Sequence, residues 1–132
     1  MKYLLDTNIC IYFLRQNTKI IEKITSVSID DLSMSYVNLA ELLFGAYNSD
    51  HVDSNIKRVH YIENIIKIIP FDRKSAENFA MIKAELKKQK NLIDDFDILI
   101  AAIALSYDLI LVTNNEKHFK RIPKLKIENW LI

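Results

Sequence analysis

The 132-residue chain carries 18 basic and 17 acidic side chains, so its formal net charge is only +1. Half of the residues are hydrophobic, which is typical of a globular protein with a substantial core, and the length fits one domain. A nearly neutral chain gives no general electrostatic argument for binding nucleic acid. Gly45 is the only glycine, which excludes the glycine-rich loops that cradle phosphates and dinucleotides.

Cysteine usage and hydropathy bear on the compartment. Cys10 is the only cysteine, so no disulfide forms within one chain and a reducing cytoplasm is expected. The first acid, Asp6, comes too early for the apolar region of a signal peptide. The longest apolar run, Ile98–Leu105, is far shorter than the ~20 residues of a membrane helix. We therefore expect a cytoplasmic protein without a membrane partner.

Short apolar runs alternate with longer patterns of helical period along the chain. Strands alternating with helices predict an α/β fold, an α/β/α sandwich around a mainly parallel sheet of four or five strands. We expect residues 1–132 to form a single domain. The predicted strands are Tyr3–Leu5, Leu32–Ser35, Lys67–Ile69, Leu109–Val112 and Lys126–Glu128. Between the first two strands the patterns predict a helix capped by Asp6, Thr7 or Asn8 and ending near Leu14, and then helix Lys19–Thr25. The later predicted helices are Val37–Tyr47, Val52–Ile66, Asp72 to about Gln89, and a buried helix from Asp94 or Asp95 to about Tyr107.

Three acids fall where ligands bind in such a fold. In open α/β sheets, the binding crevice lies beyond the carboxyl ends of the strands. Asp6 follows the first predicted strand, Glu41 lies in the helix after the second, and Asp97 lies in the first turn of the buried helix. Simpler roles stay open: Asp6 as a helix cap and Asp97 as an acid near a helix dipole. Glu41 is harder to explain structurally, because an ionised carboxylate on an apolar stripe is costly without a partner.

A group of carboxylates without a partner repels itself and raises its own pKa values. A divalent cation removes this repulsion, and Mg²⁺ suits the set because it takes oxygen ligands and needs only one or two carboxylates. Such an ion activates water and neutralises charge on a phosphodiester. No histidine or cysteine cluster points to zinc, and we expect His51 and His60 to be solvated or structural.

Four sequence blocks occur in order along the chain: LLDTN at Leu4–Asn8, SYVNLAELLFG at Ser35–Gly45, DFDILIAA at Asp95–Ala102 and LVTNN at Leu111–Asn115. These blocks resemble those of the VapC-type PIN-domain ribonuclease toxins of bacterial VapBC toxin–antitoxin systems. The ending from Phe119 to Trp130 is also typical of that family, so the resemblance covers nearly the whole chain.

This resemblance implies a PIN-like nuclease fold and a Mg²⁺-dependent endoribonuclease, with Mn²⁺ as a substitute ion. Asp6 and Asp97 would hold the metal, and Glu41 would complete the acidic site directly or through water. The resemblance further implies an RNA substrate, a homodimer and a co-expressed VapB-like antitoxin whose tail covers the acidic groove. A basic side chain of that tail would pair with the carboxylates.

Auxiliary roles and one departure from the family pattern also follow from the resemblance. Family members often carry a further acid after the fourth strand, whereas this chain has Asn115 and His118 there, and Glu116 is the only acid nearby. Asn115 would ligate through its carbonyl oxygen or position a water, and His118 would transfer protons, contact phosphate or be a surface residue. Three further residues complete the predicted auxiliary set: Asp95, which would support a second ion, and the hydroxyls Thr7 and Ser35, which would orient carboxylates or waters.

Basic and aromatic side chains form further candidate surfaces. Phosphate contacts are expected either from the lysines and the arginine near the C-terminus or from a group of lysines late in the fifth predicted helix. For the helical group, a solvated surface that favours the helix dipole is the simpler explanation. Tyr12, Phe13, Phe44 and Tyr47 are expected in the core or in an interface. The two basic sets are Lys83, Lys87, Lys88 and Lys90, and Lys117, Lys120, Arg121, Lys124 and Lys126.

Two other functions are compatible with parts of the sequence. A degenerate PIN module would bind RNA or a partner without cutting, and the altered fourth position motivates this alternative. An aspartyl-phosphate phosphatase would use Asp6 as its nucleophile. Such enzymes usually carry a second acid two residues later, where this chain has Asn8, and they do not require Glu41.

Overall fold

The computed structural model describes all 132 residues and contains five strands and seven helices. The strands are β1 Tyr3–Leu5, β2 Leu32–Ser35, β3 Lys67–Ile69, β4 Ile110–Val112 and β5 Ile127–Glu128. The helices are α1 Thr7–Leu14, α2 Thr18–Thr25, α3 Tyr36–Tyr47, α4 Val52–Ile65, α5 Arg73–Lys88, α6 Asp95–Ser106 and α7 Glu116–Phe119, and a 3₁₀ turn covers Ile29–Asp31.

The five strands form one parallel sheet in the order β3-β2-β1-β4-β5. β1 is central, and the chain continues from it to β2 and β3 on one side before crossing to β4 and β5 on the other. The crevice between β1 and β4 is therefore the topological switch point, where ligands bind in open α/β sheets. The predicted parallel α/β sheet is confirmed.

Both faces of the sheet are covered by helices, which makes the α/β/α sandwich. Successive side chains of a strand point to opposite faces. Tyr3 and Leu5 accordingly pack with buried residues of α1, α2, α3 and α4, whereas Leu4 packs with those of α5, α6 and α7. All three residues of β1 are buried, as expected for a central parallel strand whose two faces are both covered.

Helix α6 is the most thoroughly buried helix, as its uniformly apolar sequence predicts. Six of its residues, from Ile98 to Ala104, are buried, and α6 packs mainly against α5. Asp94 caps its first turn by accepting a hydrogen bond from the backbone of Phe96 at 2.9 Å. Because α6 runs antiparallel to the strands, its N-terminus and Asp97 lie at the carboxyl edge of the sheet. No helix is both long and apolar enough to cross a membrane.

Candidate active site

Asp6 lies at the switch point, directly after β1, and is almost completely buried, with 5% of its surface exposed. The β1–β4 ladder extends to this residue, since its backbone N–H donates to the Val112 carbonyl at 2.9 Å. Its Oδ1 accepts from the Thr7 backbone N–H at 2.9 Å, so Asp6 caps α1. Its Oδ2 accepts from the Thr113 hydroxyl at 2.8 Å. Capping and a second function are therefore compatible, because the two oxygens have different partners.

The charge of Asp6 is poorly compensated. Burial is the main cause that raises its pKa from 3.8 to about 6, and repulsion by Asp97 and Glu41 raises it further. The hydrogen bonds from Thr113 and Thr7 lower the pKa of Asp6, but they offset only part of this rise. No lysine, arginine or histidine forms a salt bridge with Asp6. Its carboxylate therefore gains from any cation that reaches the carboxyl edge.

Glu41 projects from α3 and is held by a hydroxyl of the neighbouring helix. The Thr7 hydroxyl donates to Glu41 Oε1 at 2.5 Å. The same hydroxyl oxygen accepts from Asn38 Nδ2 at 3.0 Å, so its donor and acceptor roles are both fixed. Burial raises the pKa of Glu41, and the charges of Asp97 and Asp94 add to this effect. Glu41 is thus oriented by a hydrogen-bond chain and, like Asp6, lacks a cationic partner.

A buried capping box anchors this chain of hydrogen bonds to β2. Ser35 ends β2, and its hydroxyl lies 3.1 Å from the Asn38 backbone N–H, which donates to it. Asn38 Oδ1 accepts from the Ser35 backbone N–H at 2.9 Å and from the Ser35 hydroxyl at 2.7 Å. Both residues are completely buried. Ser35 is therefore linked to Glu41 through Asn38 and Thr7, and the orienting role of the two hydroxyls stays a prediction.

Asp97 lies in the first turn of α6 and contacts a histidine of α7. His118 Nδ1 is 3.3 Å from Asp97 Oδ2. Burial raises the pKa of Asp97, the neighbouring charge of Asp94 adds to this rise, and His118 opposes it. Asp97 therefore differs from Asp6 and Glu41 in having an imidazole, which becomes positively charged when protonated, beside it.

The predicted auxiliary residues are divided between the site and its surroundings. Asn115 and His118 meet at 2.9 Å next to Asp97. The Asp95 carboxylate instead pairs with Lys83 at 3.1 Å, and Asp94 is the acid whose charge acts on Glu41 and Asp97. Glu116 instead accepts a hydrogen bond from Asn129 at 3.4 Å.

Three residues of the site were not among the predicted site residues: Asn38, Asp94 and Thr113. Thr113 follows β4 immediately, at the edge where ligand-binding side chains are expected, and this position was a usable signal. Asn38 stands three residues after Ser35, which is the spacing of a capping box. Which of the adjacent acids Asp94 and Asp95 faces the site depends on the rotation of α6, and the sequence does not specify this rotation.

The donor set at the carboxyl edge fits a hard divalent cation. It offers carboxylate oxygens with raised pKa values, and no lysine or arginine is within salt-bridge distance of any of the three acids. No three acidic, histidine or cysteine side chains form a compact three-ligand cluster, so the three acids do not make a direct cage. Mg²⁺ does not need such a cage, because it binds through one or two carboxylates and retains waters. The adjacent loop also holds Asn114 Oδ1, a buried oxygen without a hydrogen-bond partner.

A groove on the neighbouring surface leads towards Glu41. Its larger part, about 1050 Å³, lies between α1, α2 and α4 and includes Phe13, Glu22 and Tyr61. A smaller part, about 250 Å³, includes Glu41 itself. The two parts share three lining residues, Leu14, Arg15 and Arg58. The two parts are therefore adjacent, and the smaller one reaches Glu41 at the edge of the acidic site.

The remaining basic and aromatic predictions have mixed outcomes. Arg121 donates to the Leu92 backbone carbonyl at 3.2 Å and Lys126 pairs with Asp108 at 3.4 Å, so both have structural contacts. Phe44 and Tyr47 are mostly exposed on α3, 69% and 66% respectively. A core role is therefore excluded for these two aromatics, and an interface role stays a prediction.

Comparison with known proteins agrees with this geometry. Residues 3–125 match the family model described as the PIN domain. The chain is 39% identical over 131 residues to a Haemophilus influenzae protein named Ribonuclease VapC2, covering 99% of both. It is 32% identical over 130 residues to the tRNA(fMet)-specific endonuclease VapC of Shigella flexneri, covering 98% of both.

A solved structure extends the likeness to three dimensions. The structure of DNA-bound VapBC from Salmonella typhimurium matches with a TM-score of 0.94 and 31% identity over 98% of each chain. PIN-domain ribonucleases are generally metal-dependent, in keeping with the carboxylate site. The similarity covers nearly the whole chain and includes a sequence relative and a structure with the same fold. The chain therefore belongs to the PIN-domain family, and within it to the VapC ribonucleases.

Proposed function

We propose that this protein is a Mg²⁺-dependent endoribonuclease, the toxin of a type II toxin–antitoxin system, which hydrolyses RNA phosphodiester bonds at Asp6, Glu41 and Asp97. The observation that supports this site best is that three carboxylates at the carboxyl edge of the sheet have raised pKa values and no lysine or arginine partner. Residues 1–132 act as a single PIN-like nuclease domain. The buried free thiol of Cys10 suits a reducing compartment, and we place the protein in the cytoplasm.

Each acid has a distinct task in this proposal. Asp6, directly after β1, and Asp97, on α6, would hold the ion. When bound, Mg²⁺ supplies Lewis-acid activation of water and neutralises charge on the phosphodiester, and Mn²⁺ is a substitute. Glu41, fixed by the Thr7 hydroxyl at 2.5 Å, would orient the attacking water and accept its proton, while the departing RNA oxygen takes a proton from solvent. Thr113 holds Asp6 in its binding orientation.

Cleavage of a labelled total-RNA pool tests the site. We expect the wild type to cut with Mg²⁺ and not with EDTA, and we expect Asp6→Asn, Glu41→Gln and Asp97→Asn each to lose at least about 100-fold in rate. Asp50→Asn is the matched control, because Asp50 is exposed and lies in the α3–α4 loop. Equal cutting by wild type and by Asp97→Asn would contradict the assignment.

The groove beside the site suits an antitoxin segment. The Salmonella neighbour is a toxin–antitoxin complex bound to DNA, and we propose a VapB-like partner for this chain as well. An amphipathic segment of that partner would bury its apolar side against Phe13 and Tyr61 in the larger part of the groove. A following basic side chain would reach Glu41 along the smaller part. Such a contact inhibits by occupying the carboxylates that bind the ion.

A homodimer is the proposed assembly. Phe44 and Tyr47 lie one turn apart on α3 and are both more than half exposed. Aromatic pairs on an exposed helix face are typical of interface cores.

A binding module without catalysis is the alternative function. Its support is the segment after β4, where Asn115 and His118 of this chain stand at the position of the family's further acid. This alternative predicts RNA or antitoxin binding without cleavage under any divalent ion. The phosphatase alternative is not retained, because the VapC relatives are ribonucleases and Asn8 stands where such phosphatases usually carry a second acid.

A further inference from the structure

His118 is the one imidazole at the acidic site. It lies on α7, directly beyond β4, and its Nδ1 contacts two residues: Asp97 Oδ2 at 3.3 Å and Asn115 Nδ2 at 2.9 Å. Its side chain is 41% exposed and that of Asp97 is 21% exposed, so an ion from solvent can reach both. By contrast, His60 is exposed on α4.

The two contacts of Nδ1 place opposite demands on this nitrogen. A neutral imidazole nitrogen is either a donor or an acceptor. Nδ1 must donate to a hydrogen bond with the Asp97 carboxylate but must accept from the Asn115 NH₂. Rotation of the Asn115 amide exchanges its nitrogen and oxygen at nearly the same position. The three side chains then present two oxygens and one nitrogen, all three able to donate electron pairs.

The spacing of these atoms is that of neighbouring ligands on one cation. Two ligands at right angles on an octahedral ion with bonds of ~2.1 Å are separated by about 3 Å. The observed distances from Nδ1, 2.9 and 3.3 Å, bracket this value. A single ion beside Asp97 would accept electron pairs from both the carboxylate and the imidazole.

We propose that His118 Nδ1 is a ligand of the metal held by Asp97, and that this ligand shifts the preference of the site from Mg²⁺ towards divalent transition ions. Imidazole suits transition ions, whereas carboxylate and water suit Mg²⁺, and affinity rises from Mn²⁺ to Co²⁺ and Ni²⁺ for a given nitrogen-containing site. This inference rests on the proposed function, because it assumes that Asp97 binds the ion. It adds a ligand atom and an ion preference to the carboxylate set.

The test is calorimetric titration of the full chain with Co²⁺ and with Mg²⁺, at one neutral pH and without RNA. We expect His118→Ala to lower the ratio of Co²⁺ to Mg²⁺ affinity by at least about tenfold relative to the wild type. We expect His118→Glu to keep Mg²⁺ binding while losing the Co²⁺ preference, because a carboxylate replaces the nitrogen. The visible absorption of bound Co²⁺ should change in both variants.

Two further variants separate the possible failures. His60→Ala is the control for non-specific imidazole binding and should leave both affinities unchanged. If Asp97→Asn abolishes binding of both ions while His118→Ala leaves the affinity ratio unchanged, His118 is not a ligand and the ion-preference proposal is wrong. If Asp97→Asn also binds both ions like the wild type, the metal site of the proposed function is itself wrong.

Discussion

Replacing Asp6 with asparagine should make the metal-free protein more stable at neutral pH. The fold raises the pKa of Asp6 from 3.8 to about 6, mainly through burial, and one pKa unit corresponds to about 1.4 kcal/mol. Keeping this carboxylate ionised in the folded state therefore lowers the free energy of unfolding by at most about 3 kcal/mol. Asparagine is an equally good helix cap and retains the shape of the side chain. We expect Asp6→Asn to gain about 1–3 kcal/mol, or roughly 4–12 °C in Tm for a chain of this size.

The sign of the pH dependence provides an internal control. Because the pKa is raised in the folded state, the contribution of Asp6 to stability is fully present below pH 3.8 and is lost as the pH rises through about 6. Chemical denaturation in EDTA should therefore give wild type and Asp6→Asn similar stabilities in acid and diverging stabilities by neutral pH. Added Mg²⁺ should stabilise only the wild type. An equal or lower stability of the variant at neutral pH would mean that Asp6 is a simple helix cap whose charge is well compensated.

Other consequences follow from the same contacts. Cleavage measured on a fluorescent RNA should fall as the pH drops below about 6, because Asp6 must be ionised to bind a cation. Thr113→Val removes the 2.8 Å hydrogen bond to Asp6, so this acidic limb of the rate profile should move to higher pH. Asp95→Asn should change the cleavage rate less than about twofold, since the Asp95 carboxylate is exposed and paired away from the site; a large loss would restore its predicted metal role. Phe44→Ser together with Tyr47→Ser should shift light-scattering mass from dimer to monomer, and an unchanged mass would place the interface elsewhere.

Much of the fold is predictable because its patterns are local. The strands at β1, β2 and β3 have the bounds that their short apolar runs predict, and the uniformly apolar α6 is the buried helix. Helix α7 was not predicted, because its four residues are too few to show a helical period. Strand β4 begins at Ile110, one residue later than predicted, and β5 has only two residues. Such differences at element ends are ordinary.

The site was predictable where sequence position alone determines location. Asp6 had to lie at the carboxyl edge because it follows a strand, and Asp97 because it begins a helix antiparallel to the strands. The hydrogen bond from Thr7 to Glu41 spans 34 residues, and that from Thr113 to Asp6 spans 107. No local pattern predicts such contacts, because they depend on how separate elements pack together.

The central claim is that a divalent ion held by these carboxylates is required for cutting RNA. The most direct measurement is the single-turnover cleavage rate of one labelled RNA against Mg²⁺ concentration, for the wild type and Asp97→Asn. We predict a saturable rise for the wild type, and for the variant a curve displaced to higher Mg²⁺ with a lower plateau. Cleavage by the wild type in EDTA, or superimposable curves for the two proteins, would contradict the claim.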